Sequence, residues 1–198
     1  MSISRDVEFL YEIGSLRNVP RGWRQHLGMD CSSDLEHTYR VIWLALILAR
    51  HEGKPFDEKK LLTIALLHDI PETRVSDHSY VQKAYVLNIN ETAAAEDMFK
   101  DTILEDMPNI FNEYEKRESY ESKLVKDADN LDIDLELKEL AERGSTIPRK
   151  FQKFREMVRN EKLYTETAKK FFDAIQSSDS DSWHLATNKW LRIPNAGK

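Results

Sequence analysis

Two histidines and a few aspartates, set in otherwise apolar helical stretches, are the residues of this sequence that could do chemistry. His68 and Asp69 are neighbours at the end of the run from Leu61 to Leu67. His37 lies upstream in a second apolar stretch, and Asp127 and Asp129 lie in a third. Two imidazole nitrogens and two carboxylate oxygens are what one divalent cation needs. Burying such groups without a partner costs roughly 2–7 kcal/mol for a neutral polar group and more for a charge. A metal removes that cost and supplies a Lewis acid. Either histidine alone on an apolar face reads as a core residue. The doublet changes the weighing, because adjacent helical positions sit about 100° apart and can grasp one ion from two sides. Glu72 is i+4 from His68 and i+3 from Asp69, so a turn carried through Pro71 would face it toward the same space. Asp77 follows in an expected loop.

The fourth ligand is ambiguous on spacing alone. Val125, Asp129, Ile133, Leu137 and Leu140 follow helical spacing, which puts Asp129 within an apolar stripe. Asp127 sits in the same way between Leu124 and Leu131. Asp132, Glu136 and Glu139 are expected on the solvated side.

The elements that must hold these groups read as helices throughout. The first is signalled by Val7, Leu10, Tyr11 and Ile13. The clearest spans 34–51, with His37, Val41, Leu44, Ala45 and Leu48 on one face. Ser33 or Asp34 caps it, and Gly53 with Pro55 ends it. Asp57 caps the next, in which Leu61, Ile64, Ala65 and His68 share a face, and Pro71 ends or kinks it. Further helices are predicted over 91–106, 109–117, 120–143, 149–160, 162–176 and 181–191, punctuated by Gly144, Pro148 and the Ser177–Ser182 tract. No stretch alternates like a strand, and neither GxGxxG nor a P-loop is present, so a Rossmann or Walker nucleotide site is excluded. The expected fold is all-α: one domain over 1–198, a helical bundle with its core over about 17–145 and the helices of 149–191 packed on it. Trp183 and Trp190 read as packing anchors.

Composition fits that frame. A chain of 198 residues, 40% of them hydrophobic, can bury a core without staples. The single cysteine, Cys31, excludes an internal disulfide framework and suits a reducing cytoplasm. The longest apolar run, Val41 to Ala49, is too short to span a bilayer, and no leader-like segment opens the chain. A net charge of −6 argues against a nucleic-acid polymer as partner, while a small anion needs only a local cluster of basic residues.

The order His37 … His68-Asp69 … Asp129 resembles the HD-domain metal-dependent phosphohydrolases, and within them the small 5'-deoxynucleotidase-like group. Leu35-Glu36-His37-Thr38-Tyr39-Arg40-Val41 resembles the first-histidine helix of that group. Leu66-Leu67-His68-Asp69-Ile70-Pro71-Glu72-Thr73, continuing to Asp77, resembles its H-D-x-x-E-x-x-x-x-D block. Val125-Lys126-Asp127-Ala128-Asp129-Asn130-Leu131 resembles the segment carrying the last metal aspartate, and that match selects Asp129 over Asp127. Arg21-Gly22-Trp23 resembles a substrate-side motif. The likeness spans about residues 17–135.

It implies an all-α HD bundle with one divalent cation on His37, His68, Asp69 and Asp129, with one or two coordination positions open. Nitrogen and oxygen ligands without thiolate suit Mn²⁺, Co²⁺, Fe²⁺ or Zn²⁺. Such an ion binds a phosphate oxygen and lowers the pKa of a water. The resemblance assigns Glu72 to proton handling and importance to Asp77. It places Arg21 on the phosphate and Trp23 on base or ribose, with Lys126 as a weaker phosphate candidate. It also implies a homodimer. The expected reaction is hydrolysis of a deoxynucleoside 5'-monophosphate. The alternatives are a nucleoside triphosphate hydrolase on the same scaffold and a non-catalytic nucleotide-binding module. Di-iron oxidation of a phosphonate would need further histidines, and only His78 lies suitably. The unusual Arg24, Gln25, His26 and Cys31 put a departure from the group in the substrate pocket.

Overall fold

The structure is a computed structural model that describes residues 2–86 and 89–185. It is built from helices: α1 (Ile3–Gly14), α2 (Arg24–Leu27), α3 (Asp34–Glu52), α4 (Glu58–Leu67), α5 (Glu72–Val75), α6 (Tyr80–Lys83), α7 (Glu91–Phe99), α8 (Pro108–Lys116), α9 (Tyr120–Glu142), α10 (Pro148–Glu161), α11 (Glu166–Ser177) and α12 (Ser182–Leu185). A 3₁₀ turn, Ser15–Asn18, follows α1. No strand occurs among the described residues; one antiparallel bridge joins Pro20 to Ser33.

The site rests on α3, α4 and α9. Ser33 and Glu36 form a reciprocal capping box at the start of α3, and Gly53 ends it in the left-handed region at φ 66°. The Asp57 side chain accepts from Lys60 N to start α4, and Ser119 does the same for α9. Val41, Leu44, Ala45 and Leu48 of α3 bury against Leu61, Ile64 and Ala65 of α4 and Leu124, Val125, Ala128 and Leu131 of α9, with Ala168, Phe172 and Ile175 of α11 closing the cluster. Burying a large aliphatic side chain contributes about 1.5–3 kcal/mol, so this cluster fixes the three helices that carry the candidate ligands.

Four expectations need correcting. The helix predicted over 91–106 stops at Phe99, and Asp101 adopts a positive φ of 61° that breaks the turn. The one predicted from 162 begins at Glu166, behind a Thr165 cap. Asp132 and Glu136 are buried, not solvated: Asp132 pairs with His37 and Arg40, and Glu136 accepts from Ser32 N. Trp183 is exposed rather than a packing anchor; Trp190 lies outside the described residues.

Asp127, the rival to Asp129, turns to the other side of α9. Its carboxylate accepts from Tyr164 N at 2.7 Å, from Thr165 N at 2.9 Å and from the Thr165 hydroxyl at 2.8 Å. It thereby fastens the chain entering α11 to the middle of α9. Burial pushes the carboxyl up to about 6, with the three hydrogen bonds pulling the other way. Removing the acceptor strands buried N–H groups, which costs about 2–3 kcal/mol. Asp127→Ala is therefore expected to lower the melting temperature by about 4–12 °C while the folded protein keeps its metal content. A melting curve unchanged from the parent would show that this clasp carries no weight.

Candidate metal centre

His37 comes from the second turn of α3, His68 and Asp69 from the residues that follow α4, and Asp129 from the middle of α9. One ligand atom from each lies within 4.8 Å of every other. His37 Nε2 stands 3.4 Å from His68 Nε2, 3.3 Å from Asp69 Oδ2 and 3.2 Å from Asp129 Oδ1. His68 Nε2 stands 3.3 Å from the same Asp69 oxygen.

The far side of each ring says which atoms are free to coordinate. His68 Nδ1 lies 2.7 Å from Ala65 O, and a carbonyl can only accept, so Nδ1 carries the proton. His37 Nδ1 lies 2.6 Å from Asp132 Oδ2 and donates in the same sense. Both Nε2 lone pairs then point at each other and at two carboxylates. Four lone pairs aimed at one small volume repel, unless a cation sits among them. A proton on His37 Nε2 answers the same demand when no cation is bound. Burial and Arg21 oppose a charge on His37, yet Asp129, Asp132 and Asp69 hold its pKa well above the ordinary histidine value. Burial likewise opposes the Asp69 and Asp129 charges. His68 and His37 outweigh it for Asp69, and Lys126 and His37 for Asp129, holding both carboxyls well below the usual range. The donor set fits one divalent ion with nitrogen and oxygen ligands.

Asp132 is the residue that sequence reasoning put on the wrong side. It is 1% exposed and links the His37 ring to Arg40. Its position, i+3 from Asp129, was the available signal. An outer partner of this kind orients its imidazole and is worth about 10–100-fold in metal affinity. Asp132→Asn is expected to weaken metal retention by that factor, read by competition with a fluorescent chelator; an unchanged affinity would remove Asp132 from the centre. Tyr114 was also missed. Its ring stands edge-on to His68, with centroids 5.9 Å apart, and walls the pocket.

Beside these four side chains lies a second acidic group, Asp34, Glu72 and Asp77, again within 4.8 Å of one another. The turn does carry through Pro71: Glu72 N donates to Asp69 O, which brings the glutamate inward. Glu72 Oε2 and Asp34 Oδ2 are buried without a hydrogen-bond partner among the described residues. Burial, then Asp69, Asp77 and Asp34, raise the Glu72 pKa well above the ordinary glutamate value. Burial pushes Asp34 up to about 6, with Arg21 pulling it down. Asp34 entered the sequence reading only as a possible cap. Ser33 takes that role, and Asp34, i−3 from His37 on the same face, turns inward.

The expected substrate residues fall in three different settings. Arg21 is buried, with Nη1 3.3 Å from Asp34, 3.2 Å from Asp69 and 3.4 Å from Asp77. Gly22 N donates to Asp77 Oδ2 at 2.9 Å, and a Cβ there would stand 2.7 Å from Ser79 N, so only glycine permits this approach. Lys126 Nζ is 2.6 Å from Asp129 Oδ2. Burial opposes its charge and Asp129 restores it, leaving the pKa above the ordinary lysine value. Trp23 packs against Leu27, Leu137 and Leu140, its indole N–H buried without a partner among the described residues. His78 Nε2 lies 2.8 Å from Val75 O, and His78 is in neither ligand group.

An all-α bundle with two histidines and two aspartates converging from three helices defines the class. The HD domain family model matches residues 13–172, and the chain belongs to that family. Among characterised relatives, the 5'-deoxynucleotidase HDDC2 of Danio rerio is 29% identical over 142 residues, covering 69% of this chain and 70% of its own. The Dictyostelium discoideum HDDC2 is 28% identical, covering 68% and 76%. Among solved structures, a conserved hypothetical protein of Pyrococcus furiosus superposes with a TM-score of 0.70 at 26% identity, over 86% of this chain and 98% of its own. A predicted metal-dependent phosphohydrolase of Magnetospirillum magnetotacticum shares the fold with a TM-score of 0.67 at 19% identity, over 87% and 92%.

Proposed function

We propose that this chain hydrolyses the phosphate ester of a deoxynucleoside 5'-monophosphate, using one divalent cation on His37, His68, Asp69 and Asp129. The observation that carries the reading is the pair of imidazole lone pairs facing each other across 3.4 Å beside a raised-pKa glutamate. The HDDC2 relatives supply the substrate class. When bound, the cation polarises a phosphoryl oxygen and acidifies a water.

The protein's own groups divide the remaining work. Glu72, whose pKa burial, Asp69, Asp77 and Asp34 hold above the ordinary glutamate value, hands a proton to the departing nucleoside oxygen and takes one from the attacking water as the P–O bond breaks. Asp77 and Asp34 hold Arg21 in place. Arg21 binds only through Nη1 among the described residues, which leaves its other N–H groups for a phosphate. Lys126 offsets the charge of Asp129, and Trp23, two residues from Arg21, is the aromatic assigned to base or ribose. Mn²⁺, Co²⁺, Fe²⁺ and Zn²⁺ all suit the donor set. No helix among the described residues is long and apolar enough to cross a membrane. We propose a cytoplasmic homodimer, the compartment being the one a single cysteine suits.

The test is a panel of nucleoside mono- and triphosphates with Mn²⁺- and Co²⁺-loaded protein, the products resolved by mass spectrometry. Orthophosphate and free deoxynucleoside are expected. Tripolyphosphate would move the assignment to triphosphate hydrolysis on the same centre. A metal-loaded protein with no turnover across the panel would make it a binding module.

A further inference from the structure

The outward face of α3 has no partner among the described residues. Leu35, Tyr39, Trp43 and Ile47 recur at every fourth position and are 41%, 65%, 51% and 41% exposed. Ile42 and Leu46, partly exposed, lie beside them. At 100° per residue these six positions occupy one arc, on the side of α3 away from His37. From Leu35 to Ile47 the stripe runs about 18 Å. Isolated apolar surface residues are ordinary; a continuous ridge with a tyrosine and a tryptophan at its middle marks an interface.

Two charges lie within the arc, and their placement is informative. Glu36 sits seven residues before Trp43 and Arg50 seven residues after it. The acidic and basic ends of the ridge are thus symmetric about the tryptophan.

We propose that two copies of this chain pair through this ridge, α3 antiparallel to α3, with the two-fold axis passing beside Trp43. A two-fold interface must be complementary to itself. In this register Trp43 meets the partner's Trp43, Tyr39 meets the partner's Ile47, and Glu36 meets the partner's Arg50 on both sides of the axis. A parallel pairing would set Glu36 on the partner's Glu36, and a dissimilar partner would require no such symmetry. Both charges have hydrogen-bonding capacity left. Glu36 closes its cap through Oε2 alone, and Arg50, lying over the Phe56 ring, bonds to Glu58 through Nη2 alone. A stable interface buries about 800 Å² per partner, so the ridge is its centre and neighbouring surface its rim. This pairing deepens the homodimer proposed above and does not depend on the catalytic reading.

Sedimentation velocity over a concentration series tests it. The parent chain is expected to dimerise. Trp43→Glu is expected to raise the dimer dissociation constant at least about 30-fold, as for a central aromatic anchor, with metal content and far-UV circular dichroism unchanged. Glu36→Arg and Arg50→Glu are each expected to weaken the dimer, since each places like charges in contact twice. An equimolar mixture of those two variants is expected to regain it, because every charge at 36 then faces its opposite at 50. This rescue does not depend on whether Trp43→Glu folds. A monomeric parent at all concentrations overturns both the homodimer and the face, leaving the ridge to another partner. A dimer that survives Trp43→Glu, or a mixture no tighter than its components, overturns the face and register alone. None of these outcomes bears on phosphate release, which reports the catalytic reading separately.

Discussion

Asp69→Ala is expected to give a folded protein that neither retains a divalent cation nor turns over substrate. One oxygen of Asp69 stands 3.3 Å from both histidine Nε2 atoms and 3.2 Å from Arg21. Among the described residues no other side chain touches both imidazoles and the arginine. Its loss removes a ligand and also releases Arg21 toward Asp34 and Asp77. Removing an outer partner of a ligand already costs about 10–100-fold in metal affinity, so losing the ligand itself costs more. Dialysis followed by elemental analysis, beside phosphate release, reads both effects. Full occupancy in the dialysed variant would mean that Asp69 is not a ligand.

Glu72→Gln separates chemistry from metal binding. Glutamine has the shape and neutrality of the protonated acid, so it leaves the pocket and the four ligands intact. It cannot give up a proton to the leaving oxygen. The variant is expected to hold its cation as the parent does and to lose about 10²–10⁴-fold in turnover, the usual contribution of a positioned acid–base group. The loss is expected in kcat more than in KM, since Glu72 is assigned to the reacting atoms and not to recognition. A reduction below about tenfold lies outside that range and would make Glu72 a bystander.

Much of this arrangement was legible in the sequence because helical periodicity speaks directly about faces. His37 with Val41, Leu44 and Leu48, and His68 with Leu61, Ile64 and Ala65, lie on buried faces as their spacing predicts. The long α9 was read to within one residue at its end. The failures share a cause. Asp34, Asp132 and Glu136 are charged residues in the interior; a rule that sends charge to the solvent misplaces the last two, and a capping role kept Asp34 at the helix end. Each is buried because an ion pair or hydrogen bond receives it: Arg21 for Asp34, His37 and Arg40 for Asp132, Ser32 N for Glu136. Those partners lie far away in sequence, so no local window reveals them. Asp127 and Asp129 could not be separated by spacing for the same reason. What divides them is whether the loop before α11 or the His37 ring lies opposite, and that is decided by how α11 and α3 pack on α9. The early end of α7 reflects a left-handed residue, Asp101, for which the sequence held no glycine to announce it.

The segment between Pro20 and Ser33 has both its ends pinned. The bridge to Ser33 closes it, and Gly22, wedged against the backbone at Asp77 and Ser79, fixes the approach of Arg21. Between them Leu27 ties the segment in once more, buried against Leu137 and Leu140 with Cys31 packed on the same cluster, while the Arg24–Asp30 pair faces solvent. The exposed part of such a segment behaves as an interchangeable module. Doubling the length of a flexible loop costs only about 0.6 kcal/mol in closure entropy, and neither anchor moves when the intervening sequence changes. The exposed run of Arg24, Gln25 and His26 is thus free to drift, or to be replaced by grafting with Leu27 and Cys31 kept, without disturbing the arginine beside the candidate metal centre.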